Sequence, residues 1–470
     1  MATSQRAQYA KTGLATYDGN PLIEALPPIW TDLEVARGML NEPPLPQDSE
    51  RLLAPKVRVH AVNRLRDVII PLMPHIDVED NFSQLIRGGY TSRNPFSRET
   101  VAMRHAARLE DVRWSGYCSS ARDLTIIGMS GMGKTTCINS VLRMYPQVIE
   151  HKKFESKAFI QTQVVWLKLE CPHDGSLRGF CSAFFQALDA ALNTSEHSKI
   201  LNTRANIDML IEHIGRHCRN YCIGAVIIDE LQHLNTPRSD KVQMLNLLVN
   251  LSNRAGVPFV YIGTNAMIDC LSDTLRNARR AAGMGLISFD RFEQNDENWN
   301  VLLGRLWKYN WISQATELDA DFKKCIYDLT QGNVDFLVIL LILTQKYAIY
   351  QEIDKISLET LQHVFDNQMY LLHRPIAALR SGDLHKFDDL MPAKDQIEAM
   401  ISADIYRKAN KVNRVIHLAA DNNQQEKPVK AAKEKSVTTV VATQLSSTAK
   451  DLAHAEDIES AMAALNWTKS

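Results

Sequence analysis

The chain has 470 residues, 45% hydrophobic and 23% charged, with 53 Lys and Arg against 54 Asp and Glu for a formal charge of -1. These proportions exclude a disordered, collagen-like or coiled-coil chain, and the length is that of two or three domains. The near-zero charge excludes coating of nucleic acid or of an anionic membrane by net charge, so any such contact must come from local patches.

At the start of the chain, MATSQRAQYAKTG lacks the apolar stretch of a signal peptide. The longest apolar run, Phe336 to Leu343, is far below the roughly 20 residues that span a bilayer, so a soluble intracellular chain without a membrane partner is expected. Residues 1–60 are rich in proline, with PLIEALPPI at 21–29 and EPPLPQD at 42–48. They read as an extended arm that wraps something else and does not fold alone. From about 60 to 117 the pattern turns helical. The stretch 83–114 carries six arginines (Arg87, Arg93, Arg98, Arg104, Arg108, Arg113) against three acids, with Tyr90, Phe96 and Trp114 interleaved. A solvated helix face and a phosphate- or subunit-contacting surface both fit that composition.

From 122 to about 290, short apolar runs alternate with helical stretches: LTIIG (124–128), QVVWLKL (163–169), AVIIDE (225–230) and PFVYIGT (258–264). Such runs suit buried strands of a parallel sheet with helices on both faces, an α/β fold. Within this region His213, His217, Cys218 and Cys222 invite a zinc reading. On one helix, however, they form two neighbouring stripes, whereas a tetrahedral site needs ligands from more than one segment. The eight cysteines have no repeated spacing, which argues for free thiols. Residues 296–372 show helical periodicity alone. After about 420 a linker-like stretch leads to Ile458, Met462 and Leu465 at helical spacing, with Trp467 beyond. The expected organisation is an N-terminal arm and helical region over 1–120 for partner, subunit or DNA contacts and an α/β core over 121–292. A small all-helical lid over 293–372, a helical extension over 373–420, and a flexible linker with a short partner-binding segment over 421–470 follow.

The strongest motif is GMSGMGKT, Gly128 to Thr135, directly after a predicted strand and before a helical run. Its glycines let backbone N–H groups turn inward around phosphate oxygens, Lys134 reaches the β- and γ-phosphates, and the Thr135 hydroxyl ligates Mg²⁺. The binding set is Gly128, Ser130, Gly131, Met132, Gly133, Lys134, Thr135 and Thr136, with Met129 and Met132 filling wildcard positions. AVIIDE ends in Asp229, suited to holding Mg²⁺ through water, and Glu230, suited to polarising the attacking water. The next strand ends in Thr264 and Asn265, where a polar side chain reaches the γ-phosphate or the water, although a helix cap explains them too. Arg276, Arg279 and Arg280 lie on a later segment and read as residues that complete a neighbour's site in trans, or as an exposed basic face.

Phosphate loop, hhhhDE strand, TN-ended strand, arginine cluster and helical lid in that order resemble the AAA+ ATPases. Within them GNPLIEALPPI (19–29), IRGGYTSRNP (86–95), YPQVIEH (145–151) and IDELQHL (228–234) resemble the TnsC family of AAA+ regulators of Tns-type transposons. The resemblance implies an AAA+ P-loop core with a helical lid, and a Mg²⁺-dependent ATPase of the bacterial cytoplasm, working on DNA. Its ATP-bound subunits would oligomerise as a ring or filament around double-stranded DNA, at a target marked by a TniQ/TnsD-type protein. They would recruit and activate the TnsB transposase, with the TnsA endonuclease as a further partner, and disassemble on hydrolysis. It also assigns catalytic roles to Lys134, Asp229, Glu230, Thr264, Asn265, Arg279 and Arg280. Many AAA+ lids carry an arginine three residues after the glycine of a GN motif, whereas here Gly332, Asn333 and Val334 are followed by Asp335.

The resemblance to this ATPase class also implies DNA contacts in loops after the second core strand, which here are His173 and Ser176 in CPHDGS and the stretch around Ser198, Lys199 and Arg204. Two other functions fit the core motifs. One is a replication initiator or helicase loader, for which no appended helix-turn-helix domain is found. The other is a nucleotide-gated signalling scaffold with no DNA role.

Overall fold

The computed structural model describes residues 4–98, 100–101, 119–195, 197–202, 205–235, 240–272 and 283–382. In chain order its strands are β1 (Ser4–Arg6), β2 (Leu124–Gly128), β3 (Val148–Phe154), β4 (Lys157–Val164), β5 (Trp166–Glu170), β6 (Ala225–Asp229), β7 (Phe259–Gly263) and β8 (Leu286–Phe289). Five of them form one parallel sheet in the order β5-β6-β7-β2-β8. The runs are apolar throughout because both faces are covered. Ile126, Ile227, Val260 and Ile262 point into one core, with Cys137, Ile138 and Val141 of the helix Lys134–Met144 and Phe82 and Ile86 of the helix Met73–Thr91. Ile127, Val226, Ile228, Phe259 and Tyr261 point the other way, onto the helices Leu177–Leu192, Ile207–Asn220 and Lys241–Ala255. The carboxyl ends of β2, β6 and β7 therefore share one rim.

The run at 163–169 is not one strand. Gln163 and Val164 end β4, and β5 begins at Trp166. β3 and β4 pair antiparallel, β1 joins β3 in parallel, and the three make a second sheet. No Gly, Asn or Pro marks the hairpin turn, which uses Glu155 at φ 51° instead, so its sequence carries no turn signal.

The N-terminal arm wraps this same chain. Leu22, Ile23, Val35, Ala36 and Met39 are buried in the core that also receives the helix Lys134–Met144. Three segments far apart in sequence meet there. Asn20 Nδ2 donates to Tyr90 O (2.9 Å), Asn94 Nδ2 to Gly19 O (3.1 Å) and Arg87 to Pro27 O. Gln163 links Leu22 O (2.9 Å) to His151 Nε2 (2.9 Å), while the Tyr145 hydroxyl donates to Glu79 (2.7 Å) beneath an edge contact with Trp30. Arg87 and Arg93 thus belong neither to a solvated face nor to a contacting surface but to the interior. They are 1% and 7% exposed, and Arg93 donates to Gly89 O and Ile223 O while its guanidinium lies over Tyr90. A buried arginine is tolerated because carbonyls satisfy its donors. Arg104, Arg108, Arg113 and Trp114 lie outside the described residues.

Among the described residues five α-helices follow the sheet: Glu297–Trp307, Ala320–Thr330, Val334–Tyr350, Leu358–Gln368 and His373–Ser381. Asp296, Asp319, Asn333 and Ser357 cap the first four by accepting from first-turn N–H groups. Among the described residues no single helix is long and apolar enough to cross a membrane. The apolar helix Val334–Tyr350 buries Phe336, Leu337, Leu340, Leu341 and Ala348 instead. Residues 1–420 form one unit, and 421–470 a second that lies outside the described residues.

Candidate active site

The loop between β2 and the helix Lys134–Met144 turns through Gly131 at φ 81° and Gly133 at φ 89°, conformations that cost a side-chain-bearing residue. It ends at a helix N-terminus, whose first N–H groups have no partners within the helix and favour anions. Lys134 lies buried across the loop, its Nζ 2.8 Å from Gly128 O and 2.9 Å from Met129 O. The next residue ties the loop to β6, since Thr135 Oγ1 donates to Asp229 Oδ2 at 3.0 Å. Asp229 is only 4% exposed. Its Oδ1 accepts from Glu230 N (3.1 Å), and Lys168 Nζ stands 3.0 Å from Oδ2.

Glu230 adopts φ 59°, a left-handed conformation that costs about 1 kcal/mol or more outside glycine and turns its exposed carboxylate off the strand direction. Gln232 holds it there. The Gln232 Nε2 donates to a Glu230 carboxylate oxygen, and its Oε1 accepts from Thr264 N at 3.1 Å. A Cβ on Gly263 would sit 2.4 Å from that Oε1, so the bridge requires glycine at the end of β7. Thr264 is buried and its Oγ1 has no hydrogen-bond partner among the described residues, and the neighbouring Asn265 is 7% exposed. A buried hydroxyl without a partner is costly, and here it sits at the strand end expected to face the γ-phosphate. Gln232 had no role in the sequence reading, because its contact with Thr264 spans 32 residues.

Beside the loop opens a cavity of about 660 Å³, walled by Ile70, Met73, His75, Phe289, Val334 and Val338 and reaching Gly131–Gly133 and Thr136. A chamber with these apolar walls and polar groups such as Arg66, Asp290 and Asn298 at its margin, next to the glycine loop, suits a planar heterocycle. His75 stays neutral there, since complete burial pushes it down to about 4. No motif marks this chamber, whose walls come from three separate segments.

The helical region closes one side of the loop. Asn333 Nδ2 donates to Ser130 O (2.8 Å) and Asp335 N to Gly131 O (3.0 Å). A Cβ on Gly131 would meet Asn333 Oδ1 at 2.8 Å, so the small residue admits the approach. Asp335, in the place of the expected lid arginine, contributes its backbone and lines the cavity.

The expected DNA contacts do not converge. His173 is exposed, with its ring 4.5 Å from that of His233, and Ser176 caps the helix Leu177–Leu192 by accepting from Gly179 N. Lys199 lies on a turn beyond the other end of that 16-residue helix, about 24 Å away at 1.5 Å per residue. That turn is pinned by Asp189, which accepts from Thr194, His197 and Ser198. Arg204, Arg276, Arg279 and Arg280 lie outside the described residues.

Residues 118–271 match the AAA domain family, and the chain carries an AAA+ ATPase domain with the P-loop fold. No curated protein matches the chain. Among solved structures it is similar to the Aeropyrum pernix ORC1 protein in complex with DNA, at 15% identity over 71% of this chain and 80% of that one, with a TM-score of 0.36. The Walker-type ATPase of Pyrococcus abyssi matches at 12% identity over 61% and 76%, TM-score 0.36. Drosophila ORC bound to DNA matches at 13% identity over 90% and 85%, TM-score 0.34.

Proposed function

We propose that this chain is an ATP-switched regulator of DNA transposition of the TnsC type. ATP-bound subunits assemble on double-stranded DNA, link a TniQ/TnsD-type target selector to the TnsB transposase, with TnsA as a further partner, and separate on hydrolysis. The observation that supports this beyond a generic ATPase is the buried junction of the arm. Three of the four segments that carry the TnsC resemblance meet there: Asn20, Arg87 and Asn94 join 19–29 to 86–95, and Gln163 bridges His151 of 145–151 to Leu22 O of 19–29. The fourth, 228–234, is the catalytic strand end.

The donor set fits ATP and Mg²⁺. The loop N–H groups and Lys134 suit the phosphates, the Thr264 hydroxyl without a partner suits a γ-phosphate oxygen, and Thr135 Oγ1 and Asp229 Oδ2 suit the metal. Mg²⁺ supplies charge neutralisation on the β- and γ-oxygens. Glu230 accepts the proton of the attacking water, and Gln232 fixes the carboxylate that does so. Arg279 and Arg280 reach a neighbour's γ-phosphate, which makes assembly depend on ATP.

Electron microscopy of the full chain on duplex DNA with ATP, a non-hydrolysable analogue, ADP or no nucleotide tests the reading. Assemblies are expected only with the first two, weakly selective for sequence and falling steeply with salt. The Arg279→Ala/Arg280→Ala double variant should lose them while its monomer still binds nucleotide. Assembly indifferent to nucleotide would overturn the proposal. Footprints confined to one sequence would favour an initiator or loader, and nucleotide-gated assembly without DNA a signalling scaffold.

A further inference from the structure

Lys168 lies on β5, where its register partner on β6 is Ile227. Residues paired across parallel strands share a face, and Asp229 lies two positions on, so Lys168 and Asp229 face the phosphate-loop helix together. The Lys168 Nζ is 3.0 Å from Asp229 Oδ2 and 3.0 Å from Asn139 Oδ1. Asn139 is one helical turn after Thr135 on that helix, and Thr135 Oγ1 donates to the same Asp229 oxygen. The ammonium therefore stands beside Asp229 Oδ2, on the carboxylate that with Thr135 would hold a divalent cation. Glu170, paired with Asp229 across the strands, is exposed and is the other acid on this face.

A nearly buried carboxylate needs a cation beside it. Two cations on one carboxylate oxygen repel each other, so binding of the metal and retention of the Lys168 contact oppose one another. Lys168 has somewhere to go. Its side chain is 21% exposed and lines a cavity of about 540 Å³ with Thr136, Asn139, Arg143, Gln147 and Trp166. Asn139 can keep its ammonium hydrogen-bonded there.

We infer that Lys168 is a tethered counter-ion for Asp229, which holds the carboxylate in place when no metal is bound and is exchanged for Mg²⁺ when nucleotide enters. The metal then binds by replacing one cation with another, so Lys168 sets how strongly Mg²⁺ and nucleotide reinforce each other. This rests on the nucleotide-site reading above and adds to it a positioning residue outside the loop and strand motifs.

The test measures the affinity of the full chain for a fluorescent ADP analogue in EDTA and in saturating Mg²⁺, for wild type, Lys168→Met, Lys168→Gln and Lys168→Arg. The ratio of the two affinities cancels any direct effect of the lysine on the nucleotide. Lys168→Met and Lys168→Gln should raise the ratio about tenfold, within the usual range of couplings between two sites, and Lys168→Arg should stay near wild type. Both neutral variants should also melt at lower temperature in EDTA and regain stability with Mg²⁺ and ADP. An unchanged or smaller ratio in a folded Lys168→Met or Lys168→Gln protein overturns the inference alone. A folded wild type that binds no nucleotide overturns the nucleotide-site reading and this inference with it.

Discussion

At the scale of single residues, the carboxylate proposed to activate water depends on a side chain outside the motif. Gln232 connects Glu230 to the backbone of Thr264, so Gln232→Ala should free the carboxylate to sample other rotamers. Hydrolysis is expected to fall about 10- to 100-fold from lost orientation, while ATP affinity stays within about threefold because no phosphate contact is removed. Single-turnover hydrolysis beside a binding titration separates the two. His75 is a residue whose burial costs stability in acid. Desolvation lowers it from 6.5 to about 4, so between those pH values the unfolded chain takes up a proton that the folded chain refuses. Its contribution is intact above pH 6.5 and is lost as pH falls toward 4, at about 1.4 kcal/mol per unit. His217, also lowered to about 4 by burial first and then by its neighbours His197 and His213, acts in the same direction. Urea midpoints from pH 7 to 4.5 should fall for wild type and fall less for His75→Asn, whose side chain can still accept from Leu72 N.

At the scale of elements, the helical region reads the phosphate loop through two carbonyls. In a trans peptide the C=O and the following N–H point opposite ways. By holding Ser130 O and Gly131 O, the N-terminus of the helix Val334–Tyr350 aims the N–H groups of Gly131 and Met132 away from itself. Asn333→Ala removes one such bond and the cap on Phe336 N. It should cost about 1–2 kcal/mol of stability and weaken nucleotide binding several-fold, both measured by melting with and without ATP. The strands β2, β6 and β7, the loop motif and the acidic pair are legible in the sequence because each is a short continuous pattern, whereas β8 carries no such run and 163–169 divides between two sheets. The carbonyl contacts of Asn333 span 203 residues, and Lys168 reads as one more residue in an apolar strand. Such sites exist only after folding brings their halves together. The arginines of 83–114 show the opposite error, since composition cannot tell a solvated guanidinium from Arg87, which donates to Ser83 and Pro27 O, or Arg93, which donates to Gly89 O and Ile223 O.

At the scale of the whole molecule, the question is whether hydrolysis drives work or ends an assembly. If ATP mainly holds neighbouring subunits together, Glu230→Gln leaves Lys134, Thr135 and Asp229 in place, so Mg²⁺ and ATP still bind, and removes only the base that polarises water. Hydrolysis should slow by orders of magnitude and DNA-bound oligomers should persist. Transposition should continue with poorer target selectivity, because complexes formed at unmarked sites no longer dissolve. Lys134→Ala should instead lose nucleotide, assembly and transposition together. A motor behaves differently, since its output is turnover itself. The deciding measurement is insertion frequency and target distribution for Glu230→Gln in a reaction with the transposase and target selector. Insertion abolished despite stable ATP-bound oligomers on DNA would mean that turnover powers the reaction. Insertion retained and scattered means that the arm, sheet and helical region form a clamp whose release, rather than whose closing, is timed by Glu230.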